Sequence, residues 1–167
     1  MIRLAQTEDI PRIAEINIAG WRHAYIDIVP NEFLFKELSV LKTVKNLEEN
    51  FMSEKIRYVY EDDKDKIIKG MCIAGNCRDD DTVEGFELMA IYIEPAFIRC
   101  GIGTEFIKHF EKTAQMQNKR ELYIWCLEKN RNARAFYEKF GYKLDGKTKM
   151  LDKIKALEIR YKKILNL

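Results

Sequence analysis

The sequence predicts an α/β domain with a mixed sheet. Three observations carry the prediction. The chain has 167 residues, 47% hydrophobic and 34% charged, which suits one domain over residues 1–167 with a real core. Short apolar runs rich in β-branched and aromatic residues, such as "IRYVYE" and "FELMAIYI", have the composition of strands. Between them, apolar residues recur at helical spacing. The order reads β-α-α-β-β-β-α-β-α-β-β.

Each element follows from its residues. Residues 2–5 form a first strand. Thr7 is placed to cap a helix with Glu8, Asp9 and Pro11 in its first turn, and Ile10, Ile13, Ala14 and Ile16 carry its period to about Gly20. "GWRHAYIDIVPNEFL" breaks that period as an aromatic-rich connection, and Leu41, Val44, Leu47 and Phe51 resume it over residues 40–52. "IRYVYE" and "IIKGMCIAG" are strands joined through the polar turn "DDKDK". "FELMAIYIEP" is apolar on both faces and is therefore expected at the centre of the sheet. Ile102, Phe106, Phe110 and Ala114 give the next helix, to about Asn118, a buried stripe. "ELYIWCLE" is a further strand. Asn130 caps the following helix, Ala133, Phe136, Tyr137 and Phe140 share its apolar face, and Gly141 ends it. "YKLDG" and "ALEIRYKKIL" close the chain as strands.

Bulk properties exclude several classes. The 29 basic and 27 acidic residues leave a net charge of +2, too balanced to point to nucleic acid or a membrane surface. Cys72, Cys77, Cys100 and Cys126 match no zinc spacing, and with two histidines no metal site is expected. The N-terminus lacks a basic region followed by an apolar run, and no stretch approaches the roughly 20 apolar residues of a membrane span. These features describe a soluble cytoplasmic protein with reduced thiols.

The stretch "EPAFIRCGIGTEF", Glu94 to Phe106, leaves a strand, turns on glycines and enters a helix. Such a junction aims unpaired N–H groups and the positive end of the helix dipole at one point, which suits phosphate. Gly101 and Gly103 remove β-carbons that would hold a diphosphate away. A P-loop would need lysine after the second glycine, where Thr104 stands. A dinucleotide fingerprint would need a third glycine at Phe106 and a place after the first strand. The diphosphate of coenzyme A and a plain structural bend remain.

A second segment adds to the turn. "IRCGIG" at 98–103 and "NRNARAFYEKFGY" at 130–142 resemble the two motifs of the GNAT family of acyl-CoA N-acyltransferases, with Asn130, Ala133, Phe136, Tyr137, Lys139, Gly141 and Tyr142 in place. "IRLAQTEDIPRIAEI" and "GWRHAYIDIVPNEFL" resemble the opening of many bacterial members, so the likeness covers nearly the whole chain in order. The resemblance implies a mixed, mostly antiparallel central sheet flanked by helices. It implies acetyl-CoA as cofactor, held by the turn at Ile98, Arg99, Cys100, Gly101, Ile102, Gly103 and Thr104. It further implies cofactor contacts from the main chain of Ile91 and Ile93 and from Asn130, Ala133, Phe136 and Tyr137. Ile98 departs from the Gln or Arg usual at that position, which weakens polar contact with the diphosphate but leaves the main-chain donors of residues 100–104.

The implied reaction is direct attack of a primary amine on the acetyl thioester. An alkylamine of pKa about 10.4 is mostly protonated at pH 7, a handicap of about 4.6 kcal/mol that a carboxylate or a water chain can offset. Glu87 is the candidate, read as sharing an alternating face with Met89, Ile91 and Ile93; a strand glutamate paired with a cation is the plainer reading. The oxyanion needs a main-chain donor within residues 89–93, Ile91 or Ile93 by resemblance, worth about 3 kcal/mol. Tyr137 is the candidate acid for the departing thiolate, though it also shares the apolar face of its helix. Trp21, Arg22, His23 and Tyr25 occupy the region that shapes the acceptor pocket in the family, with Trp21 and Tyr25 the contacts expected; an inter-helix lock is the alternative. His109 reads as packed or exposed, and the acidic loops at 62–65 and 79–84 as solvated tips. Cys100, at a helix start, is a candidate reactive thiol that acetyl-CoA would shield. The rival functions are a non-catalytic acyl-CoA-binding regulatory domain and an enzyme using the turn for NAD or ATP. The partner expected is a small-molecule or peptide amine, with monomer and homodimer both open.

Overall fold

Seven strands pair edge to edge into one sheet, and the apolar ones bury their side chains between neighbouring strands and covering helices. The computed structural model describes residues 1–82 and 84–166; Val83, in the acidic loop, and Leu167 lie outside them. Its elements are β1 (Ile2–Leu4), α1 (Ile10–Tyr25), α2 (Val40–Asn50), β2 (Ile56–Glu61), β3 (Ile68–Asn76), β4 (Phe86–Ile93), α3 (Ile102–Met116), β5 (Glu121–Leu127), α4 (Arg131–Lys139), β6 (Lys143–Leu151) and β7 (Ala156–Ile164). The order is the one the sequence predicts. The strands lie in the order β1-β2-β3-β4-β5-β7-β6, and β4 is central as its two apolar faces require. Every pair is antiparallel except β4–β5, which runs parallel because α3 supplies the crossover between them.

The helices divide between the two faces. On one face α3 and α4 bury Ile102, Phe106, Phe110, Ala114 and Tyr137 against Leu88, Ile124, Cys126 and Tyr161. On the other, α1 and α2 bury Ile13, Ile16 and Leu47 against Val59 and Met71. Among the described residues no helix is long and apolar enough to cross a membrane.

The β4–β5 pair is short. It joins Phe86 to Leu122, Glu87 to Tyr123 and Leu88 to Ile124, and then stops, although both strands continue. A β-bulge marks the same point: Ala74 pairs with Leu88 and Ile73 with Ala90, leaving Met89 as an extra residue in β4. A bulge bends its strand and increases the local twist, which carries β4 away from β5. It also reverses the alternation. Phe86 and Leu88 face the α3/α4 core before the bulge, and Ile91 and Ile93 face it afterwards. Glu87 therefore lies on the opposite face from Ile91 and Ile93, contrary to the sequence reading of one shared face.

Three boundaries also differ. α1 continues past Gly20 to Tyr25, so Trp21, Arg22, His23 and Tyr25 form its last turns rather than a connection. Gly20 is there for close approach, since a β-carbon would lie 2.6 Å from the Tyr92 ring. At the other end Thr7 does not cap; the Asp9 carboxylate accepts the Gln6 N–H at 2.8 Å and pairs with Arg3. β6 runs on to Leu151, well past "YKLDG", because antiparallel pairing with β7 holds an otherwise polar strand.

Candidate active site

The turn before α3 has the form of an anion cradle. Arg99 (φ 69°) and Gly101 (φ 86°) are left-handed, and alternating left- and right-handed residues fold successive amides into a concave nest. Among the described residues, the N–H groups of Arg99, Cys100, Gly101, Ile102, Gly103 and Thr104 donate to no protein acceptor, while that of Ile98 is taken by the Pro95 carbonyl. The free donors thus begin one residue earlier than the 100–104 run expected from the sequence. A β-carbon on Gly103 would lie 3.2 Å from the Phe136 ring and 3.4 Å from Ile93 Cδ1. The start of α3, the end of β4 and the face of α4 therefore meet, as the motif residues Gly103, Ile93 and Phe136 require. The open amides and Gly101, where a β-carbon would meet nothing within 4 Å, fit the diphosphate of a coenzyme A carrier; Gly103, expected from the sequence to clear that space, instead makes room for Phe136 and Ile93.

Beyond Leu88 the edge of β4 facing β5 has no strand partner, which leaves main-chain groups of residues 89–93, including Ile91 and Ile93, beside the opening. Tyr137 of α4 is buried there, its ring 5.6 Å from Phe136 and 6.3 Å from Tyr142. Burial pushes its phenol well above the ordinary value, with Cys126 and Tyr25 adding to the shift. Tyr25 stands beside Tyr92 and Asn130, and burial likewise raises the phenols of both tyrosines. Asn130 caps α4, its Oδ1 accepting the Ala133 N–H at 3.1 Å. Tyr92 was not singled out from the sequence, because the bulge that turns it toward α1 leaves no mark on a run of apolar residues.

Glu87 has a different setting. Its side chain is 2% exposed, and Arg78 engages both carboxylate oxygens through its guanidinium and its main-chain N–H. Trp21 packs edge-on to Tyr25 at 4.9 Å and against Phe33 at 5.7 Å, within the cluster that joins α1 to the turn at Phe33–Glu37 and the β6–β7 hairpin. Arg22 donates to the Leu34 carbonyl at 3.1 Å, and His23 is exposed. His109 packs edge-on against Tyr58, and Cys100 is exposed on the turn. In the acidic loops Asp62 and Asp65 hold Lys69, while Asp79 and Asp81 hold Arg160 of β7.

This geometry matches a known family. The model of the acetyltransferase (GNAT) domain fits residues 53–144, more than half of the chain. The chain belongs to the GNAT acetyltransferase family. As a GNAT protein it is an acyltransferase with acetyl-CoA as its cofactor. YuaI of Bacillus subtilis, named as an uncharacterized N-acetyltransferase, is 25% identical over 142 residues, 84% of this chain and 78% of that protein. Among solved structures, the PaiA N-acetyltransferase of Thermoplasma acidophilum in complex with coenzyme A superposes with a TM-score of 0.72 at 18% identity, covering 96% of each chain. YncA from Salmonella typhimurium, solved with acetyl-CoA, superposes with a TM-score of 0.73 at 15% identity, covering 100% of this chain and 94% of its own. At these identities the two structures carry the GNAT fold, with its mixed sheet flanked by helices.

Proposed function

We propose that the protein transfers the acetyl group of acetyl-CoA to a primary amine by direct attack. The observation that carries this reading is the run of free amides at Arg99–Thr104, set beside Phe136 and the opening between β4 and β5. PaiA with coenzyme A and YncA with acetyl-CoA, on the same fold, support the choice of donor. Bound there, acetyl-CoA supplies an acyl carbon already activated as a thioester.

The chain's own residues do the rest. The amides of Arg99 to Thr104 and the positive end of α3 bind the diphosphate. The unpaired β4 edge at Ile91 and Ile93 offers main-chain groups to the pantetheine arm and an N–H to the acyl oxygen. Tyr137, kept protonated by its burial, gives its proton to the departing sulfur. The amine's proton leaves through water, since Arg78 occupies both oxygens of the enclosed Glu87 carboxylate. Tyr25 and Tyr92 line the amine's approach from the α1 side.

Thiol release from acetyl-CoA in a panel of primary amines, with mass analysis of the products, tests the reading. Thiol release with a matching acetyl gain on the amine is the expected result. Tight acetyl-CoA binding without release across the panel would instead identify an acyl-CoA-binding regulatory domain. Stabilisation by NAD or ATP but not by coenzyme A would move the turn to a nucleotide enzyme.

A further inference from the structure

An indole, a carboxylate and an ammonium group meet on the sheet face away from the cofactor turn. Trp125 follows Ile124, the last β5 residue paired with β4, so it stands at the edge of the opening. Glu158 of β7 lies opposite Leu127 on one side and Lys149 of β6 on the other. Their neighbours Cys126, Ile159 and Tyr161 point into the α3/α4 core, so Trp125 and Glu158 point the other way. Lys149 Nζ sits 4.0 Å from the centre of the Trp125 ring and 3.3 Å from the Glu158 carboxylate. The indole N–H is fixed on Asp79 at 2.8 Å. Arg160, the other cation near this ring at 5.6 Å, is already paired with Asp79, Asp81 and Asp145.

An aromatic face with a carboxylate beside it is a site for an alkylammonium ion. Lys149 is a tethered example of that ligand, held by an edge strand with 37% of its side chain exposed. The nitrogen that attacks a thioester must be neutral. A site that holds a charged ammonium therefore suits another nitrogen of the same molecule.

We propose that Trp125 and Glu158 bind a second ammonium group of the acceptor, one that stays protonated, and that Lys149 occupies their site until the acceptor displaces it. The proposal rests on the amine-acetyltransferase reading and narrows its substrate class to amines with two cationic centres. It makes Glu158 and Trp125 specificity determinants of the reaction.

1,4-Diaminobutane and butylamine differ by one cation and provide the test. Glu158→Gln and Trp125→Leu should each raise the KM for diaminobutane about tenfold, and leave the KM for butylamine within about twofold. Lys149→Ala, which vacates the site, should lower the KM for diaminobutane. A change of equal size for both amines, or none for diaminobutane, overturns the proposal. Calorimetric titration of diaminobutane onto the wild-type protein and onto Glu158→Gln gives a readout free of turnover. Binding that depends on Glu158 without acetylation would sustain the site and remove the amine-transfer reading. Absence of binding to the wild type would remove the site, whatever thiol release other amines support.

Discussion

At the scale of the residue, Tyr137 shows how one side chain serves both core and chemistry. Its ring fills space between Phe136, Tyr142 and Tyr161, and the same burial keeps the phenol protonated. Tyr137→Phe preserves the packing and removes the proton. Its kcat should fall about tenfold or more, with acetyl-CoA affinity unchanged by calorimetry. The sign of the pH dependence follows from the direction of the shift. A phenol raised above its usual value of about 10 stays protonated as pH approaches 10, so the wild-type rate should show no alkaline loss there. An alkaline fall well below that pH, absent from Tyr137→Phe, would contradict the upward shift of the phenol, and a Tyr137→Phe rate equal to the wild type's would contradict the role. Glu87 illustrates the opposite case. Its residue type suggested a base, but its surroundings, all on Arg78, could not be read from neighbours in the chain.

At the scale of the element, the junction from β4 into α3 was legible because its structure is local. Proline, two glycines and a following apolar stripe specify a turn, a left-handed position and a helix with few long-range contacts. The turn also separates the four cysteines. Cys72 and Cys126 are buried, and burial pushes the Cys126 thiol up to about 12 and that of Cys72 higher still. Burial also raises Cys77, to about 11. Cys100 alone is exposed. Iodoacetamide at pH 8 should therefore label Cys100 first, read by peptide mass mapping, and saturating acetyl-CoA should slow the labelling. Equal rates with and without acetyl-CoA would place the cofactor away from this turn. α1 runs five residues beyond the end its sequence predicts, from Gly20 to Tyr25. A glycine inside a helical period normally argues for a stop, and only the Tyr92 ring against Gly20 explains why the helix passes through it.

At the scale of the whole molecule, one extra residue opens the sheet. The Met89 bulge restores Ile91 and Ile93 to the face of Phe86 and Leu88, and β4 leaves β5 at that point. Deleting Met89 keeps the apolar alternation regular on that face, so the protein should still fold cooperatively. The opening should narrow, and acetyl-CoA affinity should drop more than about tenfold by calorimetry. Unchanged affinity in the folded deletion variant would show that the bulge does not make the cleft. The sequence by itself determined the order of strands and helices, the buried stripes of α3 and α4, the glycine turn and the cap at Asn130. Each depends on periodicity or on residues a few positions apart. The tertiary structure alone decided which face Glu87 occupies, that Arg78 encloses it, and that Trp125, Lys149 and Glu158 meet. These depend on strand register, and a shift of one residue turns every later side chain to the other face.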